Sequence, residues 1–285
     1  MALDLKNLSI RTVSGLVYAG LLIGVILCGP VASAILLALF AAVATYEIEV
    51  NAIQPKNPDN WNSTWLLDAF IMIVLVLSIG IPGLQSFGML IYIILLSIRF
   101  IVQAFFKQSD PIRSISIVCF EQFYIGLPLC IFVLMTDFFK FHPWVMVCGL
   151  AMIWINDTGA YLVGSMFGRH KMFPALSPKK SWEGFVGGLI FNIGAAFIFY
   201  YCFNLYSYAF LKTVYGWIVI GAFVTVFATI GDLFESMLKR SLGIKDFGNI
   251  IPGHGGVLDR IDSLLFVVPG ITIVLCLFNS ITFIS

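Results

Sequence analysis

Charge is what this sequence has least of. Asp, Glu, Lys and Arg make up 11% of its residues, against 60% hydrophobic, and the mean hydropathy is +1.00. Soluble domains carry about 25% charge. A soluble globule of this composition would lack the polar surface to cover its core, which leaves an integral membrane protein. No nucleic-acid partner is expected of such a chain. Cysteine chemistry is also missing. Cys28, Cys119, Cys130, Cys148, Cys202 and Cys276 lie in or beside apolar stretches, with no C-x-x-C or Cys/His spacing. They read as small buried hydrophobes, without disulfides or zinc. No internal repeat is visible, so an inverted-repeat transporter gains no support. No small-residue cleavage site follows MALDLKNLSIR, and the apolar run after it reads as a first span that is retained.

Long apolar runs are abundant. They predict an all-α, polytopic membrane protein with about nine spans, at roughly 12–28, 31–53, 65–82, 85–105, 114–135, 143–165, 184–204, 214–238 and 261–281. Each is near the ~20 residues that a bilayer core requires. Gly29-Pro30 and Ile81-Pro82-Gly83 are turns, and NAIQPKNPDNWNST (51–64), KQSDP (107–111) and TDFFKFHP (136–143) are further breaks. With the N-terminus cytoplasmic, all but Lys140 and Lys212 of the 16 Lys and Arg residues fall on one side, as the positive-inside rule requires. Two parts are expected: N-terminal spans over 1–110, and a C-terminal catalytic membrane domain over 111–285 with cytoplasmic loops at 168–184 and 239–260.

Polar residues gather in three places. In IWINDTGAYLVGSMFGR (153–169), Asn156 and Asp157 interrupt an apolar span. An Asp there faces a cavity or a partner, because an isolated charge in the bilayer is costly; an interhelical hydrogen bond would serve as well. Gly159 and Gly164 suit close helix packing. In SPKKSWEGFVGG (177–188), Ser177 or Ser181 can cap a helix. Its N–H groups, Lys179, Lys180 and Gly187-Gly188 form a candidate phosphate cradle, though two lysines also serve as a positive-inside anchor. Glu183 suits a metal-water or substrate contact, or simply the helix N-terminus.

The densest cluster is GDLFESMLKRSLGIKDFGNIIPGHGGVLDRID (231–262). Asp232, Glu235/Ser236 and Lys239 recur at helical spacing and share one face. Lys245 and Asp246 follow, then Pro252-Gly253-His254-Gly255-Gly256, a backbone able to approach a ligand closely and offer N–H groups to an anion. Asp259, Arg260 and Asp262 open the last span. Helix ends bearing carboxylates around a glycine-rich basic loop suit a Mg²⁺-nucleotide site. Mg²⁺ takes one or two carboxylates plus phosphate oxygens and waters, and Lys and Arg neutralise phosphates. In that loop His254 could bind phosphate or donate a proton to a leaving group.

The run Ser236-x-x-Lys239-Arg240-x4-Lys245-Asp246-x5-Pro252-Gly253-His254-Gly255-Gly256-x-x-Asp259-Arg260-x-Asp262 resembles the signature of phosphatidate cytidylyltransferases, or CDP-diacylglycerol synthases. Asn156-Asp157-Thr158-Gly159-Ala160-Tyr161, Ser177-Pro178-Lys179-Lys180-Ser181-Trp182-Glu183-Gly184 and the Tyr124-Ile125-Gly126-Leu127-Pro128 turn are similar to that family too. Ser181 stands where the family pattern has Thr, and the hydroxyl is kept. The resemblance spans about 121–266; the N-terminal spans match only as generic apolar helices.

The resemblance implies a fold of membrane helices in the cell (inner) membrane, with the active site on the cytoplasmic side. It implies that CTP and phosphatidate give CDP-diacylglycerol and pyrophosphate. It implies Mg²⁺, allows K⁺ beside it, and implies a homodimer among membrane lipids. The family's metal-binding positions fall on Asp232 and Asp259. Lys239, Arg240, Asp246 and His254 join them as candidate catalytic groups. Lys245 and Arg260 are expected to hold phosphates. Lys179 and Lys180 would hold either the pyrophosphate end or the lipid headgroup. Asn156 and Asp157 would order the metal shell or the ribose. Ser177, Glu183, Gly255, Gly256 and Asp262 complete the expected substrate contacts, and Asp246 and Asp262 could equally be ligands, outer-shell groups or ion-pair partners.

Rival classes fit less well. A CDP-alcohol phosphotransferase would carry DG-x2-AR…G-x3-D-x3-D, which is not found. A channel or transporter would line a path through the midplane, whereas most polar residues here collect on one side, with Asp68, Glu121 and Asp157 expected deeper. A membrane scaffold needs no PGHGG loop.

Overall fold

A computed structural model describes residues 5–52, 64–105, 111–136, 143–203, 210–251, 253 and 255–284, with side chains considered within 12–278. The expected breaks at 51–64, 107–111 and 136–143 fall largely outside these residues, and so does His254. The described chain is almost entirely helical: α1 (Leu5–Cys28), α2 (Pro30–Ala52), α3 (Thr64–Gly80), α4 (Gln85–Phe105), α5 (Pro111–Glu121), a π-helical turn (Gln122–Gly126), α6 (Leu127–Thr136), α7 (Pro143–Phe167), α8 (Trp182–Cys202), α9 (Val214–Leu242) and α10 (Leu258–Ile284). Two short strands, β1 (Lys171–Phe173) and β2 (Ser177–Ser181), stand between α7 and α8.

Among the described residues, seven helices are long and apolar enough to cross a bilayer. They include Pro111–Thr136, in which α5, the π turn and α6 run as one element. The other two expected spans coincide with shorter apolar helices, Thr12–Cys28 and Thr64–Gly80. Helix is the form such segments must take, because hydrocarbon offers backbone N–H and C=O groups no other partner. The punctuation is local. Gly29, at φ +104°, ends α1 directly before Pro30 opens α2. After α3, Gly83 at φ +81° and the Leu84 N–H to Ile81 C=O bond of 3.1 Å form the Pro-Gly turn into α4.

Packing divides the chain into two units. One comprises residues 1–140 with 242–261; the other comprises 141–241 with 262–285. In the first, α2 packs on α1, α3 and α6, and α3 packs on α4. Small residues allow this: Ala34, Ala38, Ala41 and Ala44 of α2 are all buried. The loop segment 242–261 belongs to this unit, although sequence grouped it with the C-terminal spans. Between α3 and α4 of this unit lies an ion pair with both partners fully buried. Arg99 Nε donates to Asp68 Oδ1 at 2.8 Å and Oδ2 at 2.9 Å, and its Nη1 donates to Gln103 Oε1 at 2.7 Å. Counting Arg99 with the cytoplasmic loop cations is therefore corrected: it is a bundle-interior residue, kept there because Asp68 compensates its charge.

In the second unit, α7 packs against α8 and both touch β2. The interface is lined by glycine. A Cβ at Gly184 would meet Ala160 O at 2.9 Å, and one at Gly187 would meet Gly159 O at 2.9 Å.

Candidate active site

The stretch 168–184, expected as a loop, is a small antiparallel hairpin with Lys171 opposite Ser181 and Phe173 opposite Ser177. Ser181 caps α8. Its backbone is extended, at φ −132° and ψ 155°, and its Oγ accepts the Gly184 N–H at 3.1 Å, satisfying one of the free donors at a helix start. Glu183 closes the base of the hairpin. Its carboxylate accepts the His170 N–H at 3.1 Å and lies 2.5 Å from His170 Nδ1, while Trp182 N–H donates to His170 O at 2.9 Å. The structure thus gives Glu183 a hairpin contact. Arg240, at the end of α9, donates through Nε to Leu176 O at 3.4 Å, next to the turn of the hairpin.

Gly187 and Gly188, read as part of the phosphate cradle, face α7 instead. A Cβ at Gly187 would meet Gly159 O at 2.9 Å, and one at Gly188 would meet Asn156 O at 3.1 Å. They are the close-packing residues here. Their contact brings Asn156 and Asp157 of α7 beside the start of α8.

A cavity of about 710 Å³ opens among these elements, a size usual for small-molecule sites. Asn156, Asp157 and Tyr161 from α7, Ser177, Lys179 and Lys180 from β2, and Thr229 and Asp232 from α9 all line it. Lys180 Nζ is 2.7 Å from Asp232 Oδ2. Asn156 is buried, and among the described residues nothing hydrogen-bonds its Oδ1. That oxygen lies against the backbone of α8, where a Cβ at Gly188 would collide with it.

Next to Asp232 the carboxylates converge. Among the described residues, Asp232, Glu235 and Asp262 each bring an oxygen within 4.8 Å of the others. Gly231 makes this possible. A Cβ there would meet Asp262 O at 2.8 Å and Ser263 Cα at 3.0 Å, so α9 and α10 touch backbone to backbone at the level of the cluster. Glu235 Oε2 also accepts from Lys239 Nζ at 2.5 Å, one helical turn on, and Ser236 Oγ lies 3.4 Å from Asp232 Oδ1. Three hard oxygen donors in this reach fit a divalent cation such as Mg²⁺.

The glycine-rich loop sits in the other unit. Gly243, Gly253 and Gly255 have φ of +72°, +74° and +85°, conformations that L side chains resist. Ile251 N–H donates to Gly255 O at 2.9 Å and closes the loop around Gly253. Lys245 and Asp246 are exposed on it. Asp259, expected as a metal ligand, is buried, and its Oδ2 accepts from Phe247 N at 2.9 Å and Gly256 N at 2.8 Å. That carboxylate ties the two sides of the loop together. Arg260 is exposed, and its carbonyl accepts from Tyr18 Oη at 2.9 Å.

Sequence reasoning left two acids out of the expected site. Glu235 carried a signal, since it lies three residues after Asp232 on one helix face. Glu47 of α2, whose carboxylate accepts from Val257 N and Leu258 N at 2.9 and 2.8 Å, carried one as well: it is an acid inside the expected span 31–53, where a charge calls for a partner.

The pattern of the cytidylyltransferase family matches residues 9–278, which draws on both units. The chain belongs to the cytidylyltransferase family. It is similar to the phosphatidate cytidylyltransferase of Bacillus subtilis (strain 168), at 30% identity over 280 residues, covering 97% of this chain and 99% of that one. It is similar to the phosphatidate cytidylyltransferase of Staphylococcus aureus (strain COL), at 44% identity over 128 residues, 44% of this chain and 46% of that one. The Staphylococcus haemolyticus enzyme of the same name shares 43% over 126 residues, 44% of this chain and 46% of its own.

Proposed function

We propose that this protein transfers the cytidylyl group of CTP to phosphatidate, forming CDP-diacylglycerol and pyrophosphate for phospholipid synthesis. The observation that carries the reading is the cavity that brings Asp157, Lys179, Lys180 and Asp232 together, in a chain that aligns end to end with a phosphatidate cytidylyltransferase. An oxygen of the phosphatidate phosphate attacks the α-phosphorus of CTP. The new P–O bond forms as the bond to the β-phosphate oxygen breaks, and pyrophosphate leaves with that electron pair. No covalent enzyme intermediate is required, so catalysis consists of positioning and charge neutralisation.

Lys179 and Lys180 present cations to the phosphates from a strand whose base is held by Glu183 and His170. Asn156 and Asp157 order the metal shell or the ribose. Asp232, Glu235 and Asp262 would hold Mg²⁺. When bound, that ion neutralises phosphate charge and polarises the phosphoryl oxygens. Lys245 and Arg260 on the glycine-rich loop are further phosphate partners. The loop also carries Gly255 and Gly256, which let backbone N–H groups approach an anion.

The excess of Lys and Arg on one side supports a cytoplasmic N-terminus and a cytoplasmic active site in the cell membrane, and removing Arg99 from the count leaves the bias intact. Conversion of radiolabelled CTP in phosphatidate micelles, with and without Mg²⁺ and K⁺, tests the reading. Lipid-linked label that depends on both phosphatidate and Mg²⁺ is the expected result; its absence in an inserted, folded preparation overturns the proposal.

A further inference from the structure

We infer that Glu47, on α2, is a positioning residue for this reaction: it anchors the glycine-rich loop and the first turn of α10 to the N-terminal helices. The inference rests on the proposed reaction. Glu47 is 2% exposed. Its Oε1 accepts the Val257 N–H at 2.9 Å and its Oε2 accepts the Leu258 N–H at 2.8 Å, across 210 and 211 residues of sequence. Helix starts are usually capped by a neighbouring Ser, Thr, Asp or Asn. Here the anion comes from a different helix, so capping α10 also fixes where the loop lies on α2. A carboxylate at this end suits the helix dipole, and charge-assisted hydrogen bonds are the strong ones.

The fit continues along the loop. A Cβ at Gly248 or at Gly256 would meet Glu47 Oε1 at 2.5 Å. Both glycines are thus explained by the acid beneath them. One turn on, Asn51 Nδ2 donates to Phe247 O at 2.8 Å and to Glu47 O at 2.7 Å. Phe247 N and Gly256 N in turn donate to Asp259. The loop backbone is therefore held by two buried carboxylates, Glu47 from α2 and Asp259 from α10. Lys245, Asp246, Gly255 and Arg260 all ride on the segment so fixed. Glu47 need not touch substrate; it sets the place of groups that do.

The test uses the full-length protein in detergent-lipid micelles. Glu47→Gln keeps the size but turns an NH₂ toward one of the two backbone donors. It is expected to lower kcat by about tenfold or more, the scale of a lost hydrogen bond to a charged group, and to speed tryptic cleavage after Lys245. Gly256→Ala should show the same kcat defect, because the new methyl meets the acid. Adding Glu47→Asp to Gly256→Ala shortens the acid and should recover activity above the Gly256→Ala single variant. Overturning results are Glu47→Gln kinetics within about twofold of wild type, or no recovery in the double variant. A wild-type chain that makes no CDP-diacylglycerol would overturn the proposed reaction instead, and the cleavage after Lys245 would still report whether Glu47 holds the loop.

Discussion

The Lys180 ammonium lies 2.7 Å from Asp232 Oδ2 and joins the β1–β2 hairpin to α9 in the wall of the cavity. Both side chains are partly open to solvent, at 24% and 41% exposure. Such pairs contribute about 0–1 kcal/mol to stability, so the pair matters for where it puts a cation. Lys180→Met should leave thermal unfolding in detergent nearly unchanged while kcat/KM for CTP falls by about tenfold or more. If Lys179→Ala with Lys180→Ala leaves both CTP and lipid kinetics as they were, these lysines serve only as topology signals.

The three converging carboxylates predict a graded metal response. Asp232→Asn and Asp262→Asn should each raise the Mg²⁺ concentration for half-maximal turnover by about tenfold or more. Glu235→Gln should act more weakly, since Lys239 already holds one of its oxygens. A Mg²⁺ titration of turnover in micelles reads all three. Unaltered Mg²⁺ dependence across the set would remove this cluster as the cation site.

The buried pair of Asp68 and Arg99 predicts an asymmetry. Losing one partner of a buried ion pair costs about 3–5 kcal/mol, because the other charge is left uncompensated. Arg99→Met should therefore lower the unfolding temperature strongly, and Asp68→Asn in the same chain should restore much of the loss. A double-mutant cycle by thermal unfolding in detergent checks it. Additive losses would mean that the two charges do not compensate each other.

Gly231 predicts a defect at the site itself. Gly231→Val places carbons against the backbone of Asp262 and Ser263, forces α9 and α10 apart, and should abolish turnover while weakening the fold. Gly24→Ala on α1, where a Cβ meets nothing within 4 Å, serves as the control and should be neutral in both assays. Normal turnover in Gly231→Val would show that the helices have room to spare there.

Much of this was legible in the sequence because the bilayer imposes a length and a composition on each segment. Expected spans such as 85–105 and 143–165 lie on α4 (Gln85–Phe105) and α7 (Pro143–Phe167). A cap for α8, open between Ser177 and Ser181, and the shared face of Asp232, Glu235/Ser236 and Lys239 were legible for a similar reason, since both follow from helical spacing. The hairpin at 171–181 was not, because three- and five-residue strands leave almost no alternation to read. Arg99 was taken for a loop cation because nothing in its neighbourhood shows that Asp68, on another helix, neutralises it.

The sequence by itself determined the class of the protein, the places where its chain crosses or turns, and the family signature over 231–262. Those properties are local, set by hydrophobic runs, glycine and proline turns and residue spacing. Only the tertiary structure decided which carboxylates converge on Asp232, that Asp259 and Glu47 clamp the glycine-rich loop, and that Gly187 and Gly188 pack against α7 rather than lining the cavity. Each of these depends on helices far apart in sequence meeting side by side. A buried carboxylate such as Glu47 finds its partners through that meeting, across 210 residues, and its own segment does not say which they are.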